Sequence, residues 1–327
     1  MELVEFGPDD AAHTAAFLDL TLQTDAVDCP WEPRRTPYRQ EMYQRHSWEG
    51  EPGRWFVGYA GERPVGTAVL DTSDYDNLEM AWLTLRVAPS YRRRGHGTAM
   101  LEGLESLAAE MDRPLLGMDG LDTASTRGFA AAAGYEHRST EVRRVLVVPE
   151  APDLSPLLEE ARPAAADYDL VRVEGCAPDD LLPGLVELTA AINDAPYDDL
   201  EWEDEVYSPE RVRAYERAQV ESGFRFRRII ARHRPSGRLA GHTVVVVDSE
   251  QPWYAEQHDT SVVRAHRGHR LGLLLKVEML RWLAAEEPQV EQVHTTNAES
   301  NRHMVEVNDR LGYRPVGRYL EFQRRVR

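Results

Sequence analysis

Hydrophobic positions along the chain change period several times, and the changes fall in the same order twice. Near the start, Leu3–Phe6 reads as a short strand, followed by helical pattern over Pro8–Leu22 and Pro37–His46. Alternating or continuous apolar runs at Arg54–Tyr59, Pro64–Leu70 and Glu79–Val87 predict three strands. Gly61-Glu62-Arg63 and Asp74-Tyr75-Asp76-Asn77 supply turn chemistry between them. Met100, Leu101, Leu104, Leu107, Ala108 and Met111 recur at the 3.6-residue period of a helix that buries one face. A strand at Leu115–Met118, a helix over Ala124–Ala133 closed by Gly134, and a strand at Val142–Val148 complete this half.

The second half repeats the plan. A strand is predicted at Asp169–Val173, a helix at Asp180–Ile192, and a second helix from Ser208, with Ser as cap and Pro209 in the first turn. Strands follow at Phe224–His233, Leu239–Val247 and Ala255–Val263. Next come a nearly all-apolar helix at Leu273–Ala285, a strand at Val290–Thr296, a helix from Asn301 to Leu311 ended by Gly312, and a strand at Arg318–Arg325. Arg92 and Arg267 lie 175 residues apart, and Gly134-Tyr135 and Gly312-Tyr313 lie 178 apart. Two such offsets point to an internal duplication. The expected division is residues 1–150, a Pro-, Ala- and acid-rich linker at 151–167, and residues 168–327.

Composition narrows the chemistry. Acids outnumber bases 56 to 38, giving a formal charge of −18, which argues against a general nucleic-acid binder. Cys29 and Cys176 are the only cysteines and have no Cys or His neighbour at metal-ligand spacing, so neither a disulfide scaffold nor a metal site is expected. No run approaches the roughly 18 apolar residues of a membrane span. The first residues lack the basic start of a signal peptide, so a cytoplasmic protein is expected. Lys276 is the single lysine among the 38 basic residues, a bias that matches a GC-rich genome.

The segment Arg92-Arg93-Arg94-Gly95-His96-Gly97 runs from a strand end at Val87 into a helix. Such a loop gathers unpaired amides and the positive end of the helix dipole, which bind phosphate oxygens. Glycines permit close approach, and arginines add charge-assisted contacts. Arg92, Gly95 and Gly97 match the acetyl-CoA motif Arg/Gln-x-x-Gly-x-Gly/Ala, and Gly134-Tyr135 is similar to a closing Gly-aromatic step. On these residues the chain resembles the GNAT superfamily of N-acetyltransferases, twice over. The resemblance implies an α/β fold, with two tandem GNAT acyltransferase domains of mixed sheet and flanking helices packed as a pseudo-dimer. It implies acetyl-CoA as cofactor and a small-molecule amine as acceptor, with no nucleic-acid or membrane partner, in a monomer or a homodimer.

By the same resemblance, Val87, Arg92, Arg93, Arg94, Gly95, His96, Gly97 and Thr98 would hold the cofactor in the first half. Val262, Arg267, Gly268, His269, Arg270, Leu271 and Gly272 would do so in the second, where Arg270 stands in place of the first motif glycine. That arginine either crowds the phosphates or turns outward. Asn297 and Asn301 resemble asparagines that lie beside the cofactor arm in some bacterial members, and could equally be caps and turns. The family commonly places a base on the strand before the loop, which points to Glu79, Glu256 and His258. The usual tyrosine position is Ala130 in one half and Asn308 in the other. The run from Asp194 to Glu205 holds seven acids and no base, and Asp198, Asp199, Trp202 and Glu203 would bind a cationic amine there. These features favour the second half as the catalytic one, while the first has the better cofactor loop. The alternatives are a non-catalytic acyl-CoA-binding sensor, or one active and one degenerate half.

Overall fold

The computed structural model describes residues 1–326. In chain order the elements are β1 (Glu2–Phe6), α1 (Ala11–Asp28), α2 (Pro37–His46), β2 (Arg54–Ala60), β3 (Arg63–Asp71), β4 (Met80–Val87), α3 (His96–Glu110), β5 (Leu115–Leu121), α4 (Ala124–Ala132) and β6 (Glu136–Val147). They continue with α5 (Ser155–Ala164), β7 (Tyr168–Glu174), α6 (Leu182–Ala190), α7 (Pro209–Glu221), β8 (Phe224–His233), β9 (Leu239–Asp248), β10 (Tyr254–Val262), α8 (Leu271–Glu286), β11 (Gln292–Ala298), α9 (Arg302–Leu311) and β12 (Arg314–Arg325). Local signals account for many of the boundaries. Asp10 caps α1 through the amide of His13, Thr36 caps α2 ahead of Pro37, and Ser208 caps α7 ahead of Pro209.

The chain forms two compact units. One holds Met1–Glu141, Tyr197–Asp204 and Gly317–Arg327; the other holds Val142–Pro196 and Glu205–Val316. In the first, β1 to β4 pair antiparallel in sequence order, and β5 runs parallel to β4. β12 then closes this sheet antiparallel to β5, with Tyr319 opposite Leu121 and Arg325 opposite Leu115. Leu320 and Phe322 of β12 join Met100, Leu104 and Leu116 in the core. In the second unit, β7 to β10 pair antiparallel, β11 runs parallel to β10, and β6 lies next to β11.

Two expectations need correction. The second domain is expected over residues 168–327, yet β12 from Gly317 onward belongs to the unit built from the first half. Residues 151–167 were expected to be a linker, yet they contain α5, whose Leu158 and Ala161 are buried with α8. The reason is visible in α5 itself, where Leu157, Leu158 and Ala161 recur at helical spacing and Pro156 occupies the first turn.

Candidate active site

Parallel pairing of β4 with β5 covers only Met80–Trp82 against Leu115–Gly117. Beyond that point the two strands separate. A cleft of about 480 Å³ opens between Thr84–Val87 on one wall and Met118–Leu121 on the other. Its mouth is the loop Arg92–Thr98, and Phe129 of α4 closes one side. The open edge of β4 leaves strand-type hydrogen-bonding groups facing the cleft, suited to a linear ligand that carries amides.

The loop owes its shape to two left-handed residues, Arg93 at φ 61° and Gly95 at φ 83°. Gly95 is the N-cap of α3 and makes no side-chain cap hydrogen bond. The first-turn amides of His96, Gly97 and Thr98 are therefore left for an anion in the cleft they line. In the second unit the backbone alternates the same way with the glycine exchanged, Gly268 at φ 84° and Arg270 at φ 54°. The departure from the motif at Arg270 thus changes the side chain and keeps the loop conformation.

Arg92 lines the cleft and also ties the loop to its strand. Its Nε donates to the Val87 carbonyl at 2.9 Å, and its two terminal nitrogens clasp the Asp28 carboxylate. Arg267 repeats this, with Nε donating to the Val262 carbonyl at 3.1 Å and Nη2 meeting Asp194 at 2.6 Å. The motif arginine is a clasp that ties strand end to loop, and Arg264 shares Asp194 in the second unit. Arg93 and Arg94 are exposed, with Arg94 lying over Tyr91.

One acid lines the inner part of the cleft, and further carboxyl groups lie near it. That acid is Asp119 of β5, which accepts a hydrogen bond from Trp82 Nε1 at 3.0 Å. Glu321 of β12 stands directly opposite Asp119 in the strand register, on the same face. Asp198 accepts from Ser139 Oγ at 2.9 Å. Burial and the nearby Glu321 and Asp198 push the Glu141 carboxyl up to about 8. Burial first, with Asp119 and Asp198 adding to it, raises Glu321 to about 7. Asp71 is raised to about 6, by burial and then by Asp119. Five carboxyl groups of one sign sharing little solvent explain these shifts.

The acidic run expected in the second half's acceptor site lies elsewhere. Tyr197–Asp204 belongs to the first unit. There the Asp199 amide donates to the Arg138 carbonyl at 3.1 Å, and the Glu201 amide to Gln323 Oε1 at 2.7 Å. Glu203 and Asn77 exchange hydrogen bonds, amide to side chain in both directions. Trp202 meets Trp82 edge to face at 6.4 Å and stacks on Tyr197 at 5.9 Å.

Of the bases expected from the sequence, Glu79 does not line the cleft, and Glu256 and His258 belong to the second unit. Glu79 immediately precedes β4, and its exposed carboxylate pairs with Arg325 at 2.7 Å. Glu256 takes the register position that Trp82 has in the first unit, parallel-paired to the neighbouring strand. It is clasped by Arg143 and accepts from Tyr254 OH, and although burial opposes it, Arg143 brings its carboxyl down to about 2. His258 Nδ1 meets Tyr215 OH at 2.6 Å; burial, the larger effect, and Arg143 lower it to about 4. A carboxylate held so tightly is a poor proton acceptor. Asn301 caps α9 through the Met304 amide, and Asn297 accepts from Asn308 Nδ2 at 2.6 Å. Sequence reasoning missed Asp119 by ending its strand at Met118; an acid inside an otherwise apolar strand was the available signal.

Among the described residues, no helix is long and apolar enough to cross a membrane. Residues 21–136 match the model of the Acetyltransferase (GNAT) family. A tandem GNAT protein from the clavulanic acid biosynthesis pathway is 28% identical, with 99% of this chain and 98% of that chain aligned at a TM-score of 0.82. A GCN5-related N-acetyltransferase from Sphaerobacter thermophilus (14% identity, TM-score 0.71, 100% and 96% coverage) shares the fold. So does an acetyltransferase from Pyrococcus horikoshii (14% identity, TM-score 0.62, 100% and 89% coverage). A comparison with curated proteins finds no matching relative. Residues 21–136 thus form a GNAT acetyltransferase domain, and the chain over its whole length is similar to a tandem GNAT protein.

Proposed function

We propose that the first unit transfers an acetyl group from acetyl-CoA to a small cationic amine. The observation that carries this reading is the cleft itself, which joins an uncapped helix start at one end to the Asp119 carboxylate at the other. The residues present fit the cofactor. The amides of His96, Gly97 and Thr98 would take its phosphate oxygens, and the open edge of β4 its amide-bearing arm. When bound, acetyl-CoA supplies an activated thioester.

The chain's own residues handle the acceptor. An ammonium group is drawn by the Asp119 carboxylate on the cleft wall, with Glu321, Asp198 and Glu141 near it. It must lose a proton before its nitrogen can attack, and Asp119 is the carboxylate placed on the cleft wall to receive it. Trp82 Nε1 fixes the orientation of that carboxylate. Trp202 and Tyr197 offer aromatic faces to a cation. That Tyr197–Asp204 belongs to the first unit supports an acceptor site there.

The test is thiol release from acetyl-CoA over a panel of amines, with Asp119→Asn alongside the unaltered protein. The expected result is a fall in kcat/KM of about a hundredfold or more, with acetyl-CoA binding unchanged. Full activity of the variant would refute the role of Asp119. Acetyl-CoA binding with no turnover on any amine would replace the enzyme reading with that of an acyl-CoA-binding module.

A further inference from the structure

α8 of the second unit is buried nearly all round: Leu271, Leu273, Leu274, Leu275, Val277 and Met279 are all inaccessible. A helix of this kind needs cover on more than the sheet side. α5 supplies it, packing Leu158 and Ala161 into the same core. The approach is anchored at the loop. His269 Nδ1 lies 3.2 Å from the carbonyl oxygen of Ala164, the last residue of α5, and Arg162 reaches Glu278 at 3.0 Å.

Glu160 projects from α5 onto the loop that corresponds to Arg92–Gly97. One carboxylate oxygen pairs with Arg270, the left-handed cap of α8, and the other with Arg310 of α9. Two guanidinium groups converging on one anion at a helix start is the arrangement that recognises phosphate. Here the anion is part of the chain. At the corresponding position of the first unit stands Gly95, and among the described residues nothing beyond its own chain neighbours and helix backbone lies within 4 Å of where its Cβ would be.

We infer that Glu160 is the resident anion of the second loop, so that unit two takes no CoA and each chain binds one. A phosphate arriving there must part Glu160 from both arginines. The conserved left-handed shape of the loop is thereby accounted for: it seats a carboxylate in place of a ligand. The one-site count rests on the cofactor reading of the first unit, whereas the role of Glu160 does not.

Calorimetric titration of the full chain with CoA should give one site, and Gly97→Asp, which puts a negative charge among the first loop's amides, should abolish it. Inorganic pyrophosphate then probes the second loop without requiring α5 to move. In the Gly97→Asp background, Glu160→Ala should bind it about tenfold tighter or more, in a salt-sensitive way. Glu160→Gln, which keeps the shape, should gain likewise, and adding Arg270→Ala should remove the gain. Two CoA sites in the unaltered chain, or one surviving Gly97→Asp, would overturn the inference. So would pyrophosphate binding unaffected by either Glu160 substitution. A chain that binds no CoA at all would refute the proposed function, while the pyrophosphate measurements still decide the role of Glu160.

Discussion

Glu141→Gln should stabilise the protein in alkaline buffer and leave it nearly unchanged in acid. Glu141 faces Glu321 and Asp198, and its carboxyl is raised from 4.5 to about 8. Between those values the folded chain keeps a proton that the unfolded chain has lost, so stability falls as pH rises. The full interval corresponds to about 5 kcal/mol at 1.36 kcal/mol per pH unit. Glu321 carries part of the same repulsion, and water screens a partly buried group. About 2 kcal/mol is therefore expected from this one substitution above pH 8. For a unit of this size that is a rise in Tm of roughly 4–8 °C. Thermal unfolding followed by circular dichroism at pH 5 and pH 8.5 reads the difference directly. A bound alkylamine should raise Tm more at pH 8.5 than at pH 6, and less in the variant, because its positive charge relieves the same repulsion. An equal offset between variant and parent at both pH values would refute the reasoning.

Arg92→Ala removes the clasp on Val87 and Asp28; a stability loss of about 1–2 kcal/mol and roughly tenfold weaker acetyl-CoA binding are expected, checked by denaturant titration and calorimetry. Arg143→Ala leaves Glu256 buried without its cation and should cost about 3–5 kcal/mol, whereas replacing both residues by apolar ones of similar volume should recover most of the loss. Lys276→Met should stabilise at pH 6. Burial lowers that lysine from 10.5 to about 7, so the folded chain binds fewer protons in between and stability rises with pH. A gain of about 2 kcal/mol at pH 6 that fades toward pH 10 is expected from urea unfolding at both pH values.

Much of the local structure was legible in the sequence because its causes are local. Ser208-Pro209 and Thr36-Pro37 start helices wherever they stand. Gly134 and Gly312 take the positive φ that ends one, at 77° and 93°. The Arg/Gly loop, with strand before and helix after, carried the family resemblance in both halves. The partner that its arginine takes was not legible there. A guanidinium has several donors, and which partner it finds depends on Asp28 and Asp194, which lie far away in sequence.

What the sequence by itself determined is the repeated order of elements, the two phosphate-type loops and the acidic balance. These follow from hydrophobic period, turn chemistry and residue counts, each set within a few residues. Only the tertiary structure decided that β12 closes the sheet of the first unit, that residues 197–204 join its acidic face, and that Asp119 ends the cleft. It also decided that α5 covers the second loop. A strand with alternating burial fits any edge of matching length, so its neighbour is chosen by long-range packing. An acidic segment looks alike on the surface and beside a cleft until folding brings other carboxylates to face it. The raised carboxyls of Glu141 and Glu321 come from that convergence, which no stretch of the sequence contains.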